Sequence, residues 1–264
     1  MSEEPRILID LDEQGVMLIT MNRPEKKNAI DDPQWDALAR SLRDAEADPR
    51  VSVVVLTGAG GHFSSGADLS GTGGLDSEPR GDGFASGFFA CEEAILDFAK
   101  PLLSAVTGVA VGGGCTLAIA CDITYVGEGL RARLPFANLG LAPEIGSSYT
   151  LQSAIGRQRA NELMFTAEWI DAERAIELGM AARCFPDEEL LEATLVKARE
   201  IAQWPISSLL AIKRTMNAAH SAAIGAALEI EHAEMKKLAG SPENIEAVKA
   251  FIEKRAPDFR QFRK

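Results

Sequence analysis

Three consecutive glycines, Gly112 to Gly114, constrain the fold of this chain more than any other feature. The apolar segment 102–106 precedes them and predicts a buried strand, and the apolar run 116–120 after them predicts a buried helix. Glycine at such a turn leaves the first helical N–H groups without a neighbouring Cβ atom. Because a helix N-terminus attracts negative charge, the turn is suited to an anion or a developing oxyanion, although tight packing can also require glycine.

A second turn of the same kind contains Gly66 and Ala67 and follows the β-branched segment 51–57. Two backbone N–H groups from separate turns, directed at one point, would form an oxyanion hole for a thioester enolate. In acyl-transfer enzymes each such donor is worth roughly 3–4 kcal/mol. The glycine spacing does not match the dinucleotide-binding pattern G-x-G-x-x-G, and no Gly-Lys-Ser/Thr sequence indicates a P-loop.

Charge and composition exclude several classes of partner. The 264 residues carry a net charge of −12, which argues against binding to nucleic acid or to an anionic membrane. Residues 241–264 differ, with six Lys/Arg against four Asp/Glu, and this basic end is suited to an anionic ligand. The N-terminus has no signal-peptide pattern and no run is long enough to cross a membrane, so we expect a cytoplasmic protein.

The cysteines and histidines do not predict a metal site. The four cysteines show no ligand spacing, and the three histidines are far apart along the chain. Cys115 and Cys121 fall in the apolar run after the glycines and are expected to be small core residues. We therefore expect no metal ion.

The order of predicted elements indicates an α/β fold with parallel strands. Residues 6–12 and 16–22 predict a β-hairpin, and strands are expected at 51–57, 102–106 and 123–126. Asp32 is expected to cap a helix that continues through residue 45, residues 70–83 to form a loop, and residues 84–100 to be helical. After the Pro/Gly-rich loop 134–148 almost everything is expected to be helical. Residues 1–200 would form the core and residues 201–264 a helical segment for oligomerisation.

The chain resembles the enoyl-CoA hydratase/isomerase (crotonase) superfamily over essentially its whole length. Any one of the matching motifs is weak, but five in the same order are specific for the family, though not for one reaction. They are Asn22-Arg23-Pro24-Glu25-Lys26-Lys27-Asn28-Ala29, Phe63-Ser64-Ser65-Gly66-Ala67-Asp68-Leu69, Gly112-Gly113-Gly114-Cys115 with Cys121-Asp122, Leu139-Gly140-Leu141 with Pro143, and Phe251-Ile252-Glu253-Lys254-Arg255.

The resemblance implies a ββα-spiral core, a trimer or a dimer of trimers, and an acyl-CoA substrate, with no cofactor apart from the coenzyme A of that substrate. It also implies that the loop from Lys26 to Ala29 lies against the CoA nucleotide. It implies that the N–H groups of Ala67 and Gly113 hold the thioester oxygen, and that a neighbouring subunit contributes Phe251 and Lys254 to the CoA pocket. The full set of positions that it implies for substrate binding is Lys26, Lys27, Ala29, Ser65, Ala67, Asp68, Leu69, Ser70, Gly112, Gly113, Phe136, Phe251 and Lys254.

The chain departs from the hydratases of this family at both positions of the glutamate pair that activates water. Thr116 and Phe136 stand at those positions, and neither can act as an acid or base near neutral pH. Glu144 is a carboxylate in a context similar to that of the catalytic glutamate of peroxisomal-type Δ3,Δ2-enoyl-CoA isomerases. The hypothesis is therefore a Δ3,Δ2-enoyl-CoA isomerase with Glu144 as its acid/base. The alternatives are a hydratase, another crotonase reaction, or a non-catalytic acyl-CoA-binding subunit.

Overall fold

The computed structural model of the protein describes residues 5–69 and 86–263. The whole loop expected at 70–83, including Ser70, lies outside the described residues. No helix in the described part of the chain is long and apolar enough to cross a membrane.

A six-stranded sheet forms the centre of the fold. Its strands, in spatial order, are β1 (Ile7–Leu11), β2 (Val16–Met21), β3 (Val53–Gly58), β4 (Leu102–Val106), β6 (Ile123–Gly127) and β8 (Arg183–Phe185). The predicted hairpin pairs β1 with β2 in antiparallel fashion, and every other pairing in this sheet is parallel, as expected for an α/β fold.

The central strands are buried on both faces because helices cover both sides of the sheet. In β3, Val54 and Leu56 belong to the large core and the alternate residues Val53 and Val55 to a smaller one. This alternation follows from the two-residue period of a strand. The smaller core is closed by helix α8 (Asp187–Ala202) through Leu190 and Ala198.

A second, two-stranded sheet of β5 (Val109–Val111) and β7 (Arg131–Arg133) lies outside the main one. The sequence predicts the glycine turn directly after β4, but β5 intervenes between them. The strands β5, β7 and β8 are not predicted from the sequence. Each has three residues, too few to show a period that distinguishes a strand from a loop.

The predicted helices are present, with small differences at their ends. The N-cap of the first α-helix is expected to be Asp32, but it is Asp31, whose carboxylate accepts a hydrogen bond from the Gln34 N–H. Asp32 is the first residue of the helix. The loop expected at 134–148 contains one short helix. The helices other than α8 are α1 (Asp32–Ala47), α2 (Ser86–Leu96), α3 (Gly113–Ala120), α4 (Phe136–Leu139), α5 (Ser147–Ile155), α6 (Arg157–Thr166), α7 (Ala172–Leu178), α9 (Ile206–Asn217), α10 (Ser221–Leu238) and α11 (Pro242–Ile252).

The C-terminal helices α10 and α11 contact the core of their own chain. Tyr149 on α5 has its hydroxyl 2.9 Å from Nδ1 of His220, the residue that precedes α10. Asn244 on α11 donates to the Leu139 carbonyl oxygen over 2.8 Å, at the end of α4. These contacts bring α10 and α11 beside the loop that follows α4.

Candidate active site

The two glycine turns lie against each other because residues 63–64 run alongside β5. Ser64 N–H donates to the Val109 carbonyl oxygen, and Val111 N–H donates to the Ser64 carbonyl oxygen. At Gly66 the backbone has φ +83°, and a Cβ atom there would lie 2.4 Å from the Val111 oxygen and 3.2 Å from the Gly113 nitrogen. Only glycine lets the two turns approach this closely.

Ala67 follows Gly66 at the edge of this contact, and its neighbours are fixed by backbone hydrogen bonds. Ile30 N–H donates to the Gly66 oxygen (2.8 Å), and Asp68 N–H donates to the Ile30 oxygen (2.9 Å). Gly113 is the first residue of α3 and is buried. Within residues 5–69 and 86–263, neither the Ala67 nor the Gly113 N–H donates to another protein group. Both N–H groups are therefore available for the role of oxyanion donors.

Glu144 lies at the same helix N-terminus. A Cβ atom on Gly113 would be 3.2 Å from Glu144 Oε1 and 3.1 Å from Cζ2 of Trp35, so the base candidate and an indole ring both border Gly113. The Thr116 hydroxyl is 3.4 Å from the same carboxylate oxygen. The structure thus brings together two of the residues singled out from the sequence, Glu144 and Gly113, which are far apart along the chain.

The environment of Glu144 makes its carboxylate unusually basic. Burial is the main cause, followed by the negative charges of Glu92 and Glu231, and together these raise the pKa of Glu144 to about 8. The Thr116 hydroxyl acts weakly in the opposite direction. A carboxylate with a pKa near the working pH is a better proton acceptor than a solvent-exposed glutamate, and it can also return the proton.

Thr116 and Phe136 stand at the two positions where the resemblance places the glutamates of a hydratase. Thr116 is buried in α3, and its hydroxyl also lies 3.2 Å from the Gly113 carbonyl oxygen. Phe136 begins α4 and is 5% exposed. Neither side chain supplies a second carboxylate beside Glu144.

The predicted CoA-nucleotide loop is built around a buried carboxylate. Asp68 is 8% exposed and accepts hydrogen bonds from Arg23 Nη2 and Lys26 Nζ, each over 2.9 Å. Arg23 also donates to the Ala29 carbonyl oxygen, so its guanidinium links the two ends of the loop. Arg23 belongs to one of the matching motifs but is not among the site residues predicted from the sequence. Its Arg-Pro context gave no sign that the guanidinium is buried.

The remaining predicted substrate-binding positions lie in three places: beside Lys26 and Asp68, at the end of α11, and in the turn before α3. Lys27 and Ser65 lie with Lys26, since Ser65 N–H donates to the Lys27 carbonyl oxygen and the Ser65 hydroxyl donates to the Lys26 carbonyl oxygen. Leu69 is half-buried beside Asp68. By contrast, Phe251 and Lys254 are exposed at the end of α11, and their proposed role in a neighbouring subunit's pocket stays a prediction. Gly112 begins the α3 turn with φ +52°, and its N–H donates to the Arg133 carbonyl oxygen.

Cys115 and Cys121 are core residues, as expected. Both are buried in and after α3, and burial raises the pKa of each thiol to about 12. Neither has the low pKa of a reactive thiolate.

Comparison with known proteins gives a consistent result. The family model "Enoyl-CoA hydratase/isomerase" matches residues 12–263. The 2,3-dehydroadipyl-CoA hydratase of Escherichia coli K12 is 33% identical over 94% of this chain and 96% of its own length. The 1,2-epoxyphenylacetyl-CoA isomerase of the same organism is 35% identical over 94% of this chain and 95% of its own length. A crystal structure of an enoyl-CoA hydratase/isomerase from Pseudoalteromonas atlantica T6c has a TM-score of 0.88 at 32% identity, covering 97% of this chain and all of that one. The predicted crotonase-type fold is thereby confirmed.

Proposed function

The chain belongs to the enoyl-CoA hydratase/isomerase family, and from that premise we propose that it is a Δ3,Δ2-enoyl-CoA isomerase with Glu144 as its single acid/base. One observation supports this most strongly. The Glu144 carboxylate borders Gly113, one of the two proposed oxyanion donors. A base in that place would face the carbon next to a thioester whose oxygen is held by the same helix N-terminus.

The reaction requires one proton acceptor and one site for negative charge. Glu144 removes a proton from C2 of the 3-enoyl-CoA, and the electrons move onto the thioester oxygen to give a dienolate. The N–H groups of Ala67 and Gly113 stabilise that oxyanion. Glu144 then returns the proton to C4, so that the double bond lies between C2 and C3 and no atom is gained or lost.

Hydration makes a different demand on the site, because a water molecule must be positioned and activated by carboxylates. Thr116 and Phe136, which stand at the positions expected for the hydratase glutamates, cannot do this. Glu92 and Glu231 are buried and already accept hydrogen bonds from backbone amides of the loop that follows Glu144. The names of the relatives include both hydratases and an isomerase, and the arrangement around Glu144 favours isomerisation.

The other parts of the proposal follow from the family. The substrate is an acyl-CoA, with coenzyme A held near Lys26, Lys27 and Ala29, and no separate cofactor takes part. We expect a cytoplasmic trimer or hexamer in which Phe251 and Lys254 reach the CoA of a neighbouring subunit. Light scattering of the purified protein measures that assembly.

The wild-type protein tests the proposal with two substrates. Turnover of a trans-3-enoyl-CoA should be far faster than hydration of the trans-2-enoyl-CoA of the same chain length. Fast hydration would assign the protein to the hydratases. Absence of both activities, with CoA-ester binding retained, would favour the non-catalytic binding subunit.

A further inference from the structure

Two buried glutamates hold the loop that carries Glu144, and the proposed reaction uses neither. Ile145 N–H donates to Glu92 Oε1 over 3.1 Å. Gly146 N–H and Ser148 N–H donate to the two carboxylate oxygens of Glu231 over 2.8 Å each. Glu92 is 4% exposed and Glu231 is 3% exposed. Three of the four amides that follow Glu144 are therefore bound by carboxylates from α2 and α10.

The backbone of this loop requires such support. Ile145 has φ +55°, a left-handed conformation that is strained for a β-branched residue, and its side chain is 1% exposed. The preceding residue is Glu144, so the peptide unit that Glu92 binds is the one that joins the strained residue to the proposed base. A shift of that peptide would move the Glu144 carboxylate away from Gly113.

The two supporting glutamates differ in their surroundings. Glu231 binds amides at the N-terminus of α5, where a carboxylate also interacts well with the helix dipole. Glu92 has a second partner, because its Oε2 lies 2.6 Å from Nε2 of His232 on α10. The His232 ring contacts Phe89 edge-on, with a centroid distance of 5.1 Å. Burial raises the pKa of Glu92, and the neighbouring His232 offsets part of that effect.

We propose that Glu92, held in place by His232, is the positioning residue of the loop that carries Glu144. Its oxygen fixes the Ile145 amide, and its negative charge makes the Glu144 carboxylate a stronger base. The titratable groups that face Glu144 are Glu92 from α2 and Glu231 from α10, with the Thr116 hydroxyl on α3 and His232 behind Glu92. The inference rests on the proposed role of Glu144, but its direct test, the titration of Glu144, does not depend on isomerase activity.

Two substitutions separate the charge of Glu92 from its reach. Glu92→Gln keeps an oxygen acceptor for the Ile145 N–H and an amide that can donate to unprotonated His232, but it removes the charge. Glu92→Asp keeps the charge and withdraws the acceptor by one methylene. The matched control is Glu93→Gln, because Glu93 is the next residue of α2 and is an exposed carboxylate paired with Arg43.

The direct readout is the titration of Glu144 itself, followed by carboxyl ¹³C NMR of glutamate-labelled protein. Its signal is assigned by its loss in Glu144→Gln. In Glu92→Gln the midpoint of the Glu144 titration should move to lower pH by about one pH unit, the size expected when one charge is removed from a partly buried site. Glu93→Gln should leave the midpoint unchanged. An unchanged midpoint in folded Glu92→Gln would overturn the proposal.

The kinetic readout tests the reach. Glu92→Asp should lower kcat on the order of 10-fold with little change in KM, because a small displacement of the base slows proton transfer more than it weakens binding. Glu92→Gln should lose less and should reach its full rate at lower pH than the wild type. If Glu92→Gln does not fold, wild-type kinetics in Glu92→Asp would equally refute the positioning role. If the wild type has no isomerase activity but the NMR midpoint moves as expected, the proposed function fails and the role of Glu92 remains.

Discussion

Replacing Glu144 with glutamine should stabilise the folded protein at alkaline pH, even though it removes the proposed base. The folded-state pKa of Glu144 is raised from its ordinary value of 4.5 to about 8, mainly by burial. Between these two pH values the unfolded chain releases the proton while the folded chain keeps it. The stability of the wild type therefore falls as the pH rises through this range, and the full cost is reached above pH 8.

The size of the effect follows from the two pKa values. Each tenfold difference in proton affinity is worth about 1.4 kcal/mol, which sets an upper limit of about 5 kcal/mol above pH 8. The Glu144 side chain keeps some contact with solvent, which weakens the effect of burial. We therefore expect a difference in the free energy of unfolding on the order of 2–4 kcal/mol, or about 5–10 °C in melting temperature. Glutamine keeps the shape of the side chain and cannot ionise.

Thermal melts at pH 5 and pH 9 measure this difference. Glu144→Gln should melt close to the wild type at pH 5 and clearly above it at pH 9. The control Glu93→Gln, at an exposed position, should match the wild type at both pH values within about 1 °C. A difference of equal size at both pH values, or a less stable Glu144→Gln at pH 9, would refute the reasoning about burial.

Two further predictions concern catalysis. Replacing Gly113 with proline removes one of the proposed oxyanion donors and should lower kcat on the order of 10²-fold or more. A matched thermal melt shows whether the variant is folded. An unchanged rate in a folded variant would exclude Gly113 from the site. The isomerase rate of the wild type should rise with pH and level off above about pH 8, because Glu144 must be ionised to remove a proton; a rate that falls steadily from pH 7 to pH 9 would contradict this assignment.

The sequence predicted the large elements because their patterns are long. The β-branched run that forms β3 and the apolar segment that forms β4 are buried on both faces, and such segments are recognisable as strands without their partners. The three-residue strands β5, β7 and β8 are strands only because other segments pair with them. Two of them contain arginines, which masked any apolar pattern.

The site was predictable only in part. Gly66, Gly113 and Glu144 could be singled out, since glycine turns and an acidic residue in an apolar loop are local features. Glu92 and Glu231 could not, because a glutamate in a helical sequence is normally solvent-exposed. Both are buried because they bind amides of the loop that follows Glu144. That loop is distant along the chain from α2 and α10, so the sequence gives no local sign of the contact.

The central claim is that Glu144 alone transfers the proton, and kinetics of Glu144→Gln on a trans-3-enoyl-CoA test it most directly. With Glu93→Gln as the control, Glu144→Gln should lose isomerase activity by roughly 10²–10⁴-fold with little change in KM, because binding is kept and proton transfer is lost. Full isomerase activity in a folded Glu144→Gln would show that another group is the base and would contradict the account.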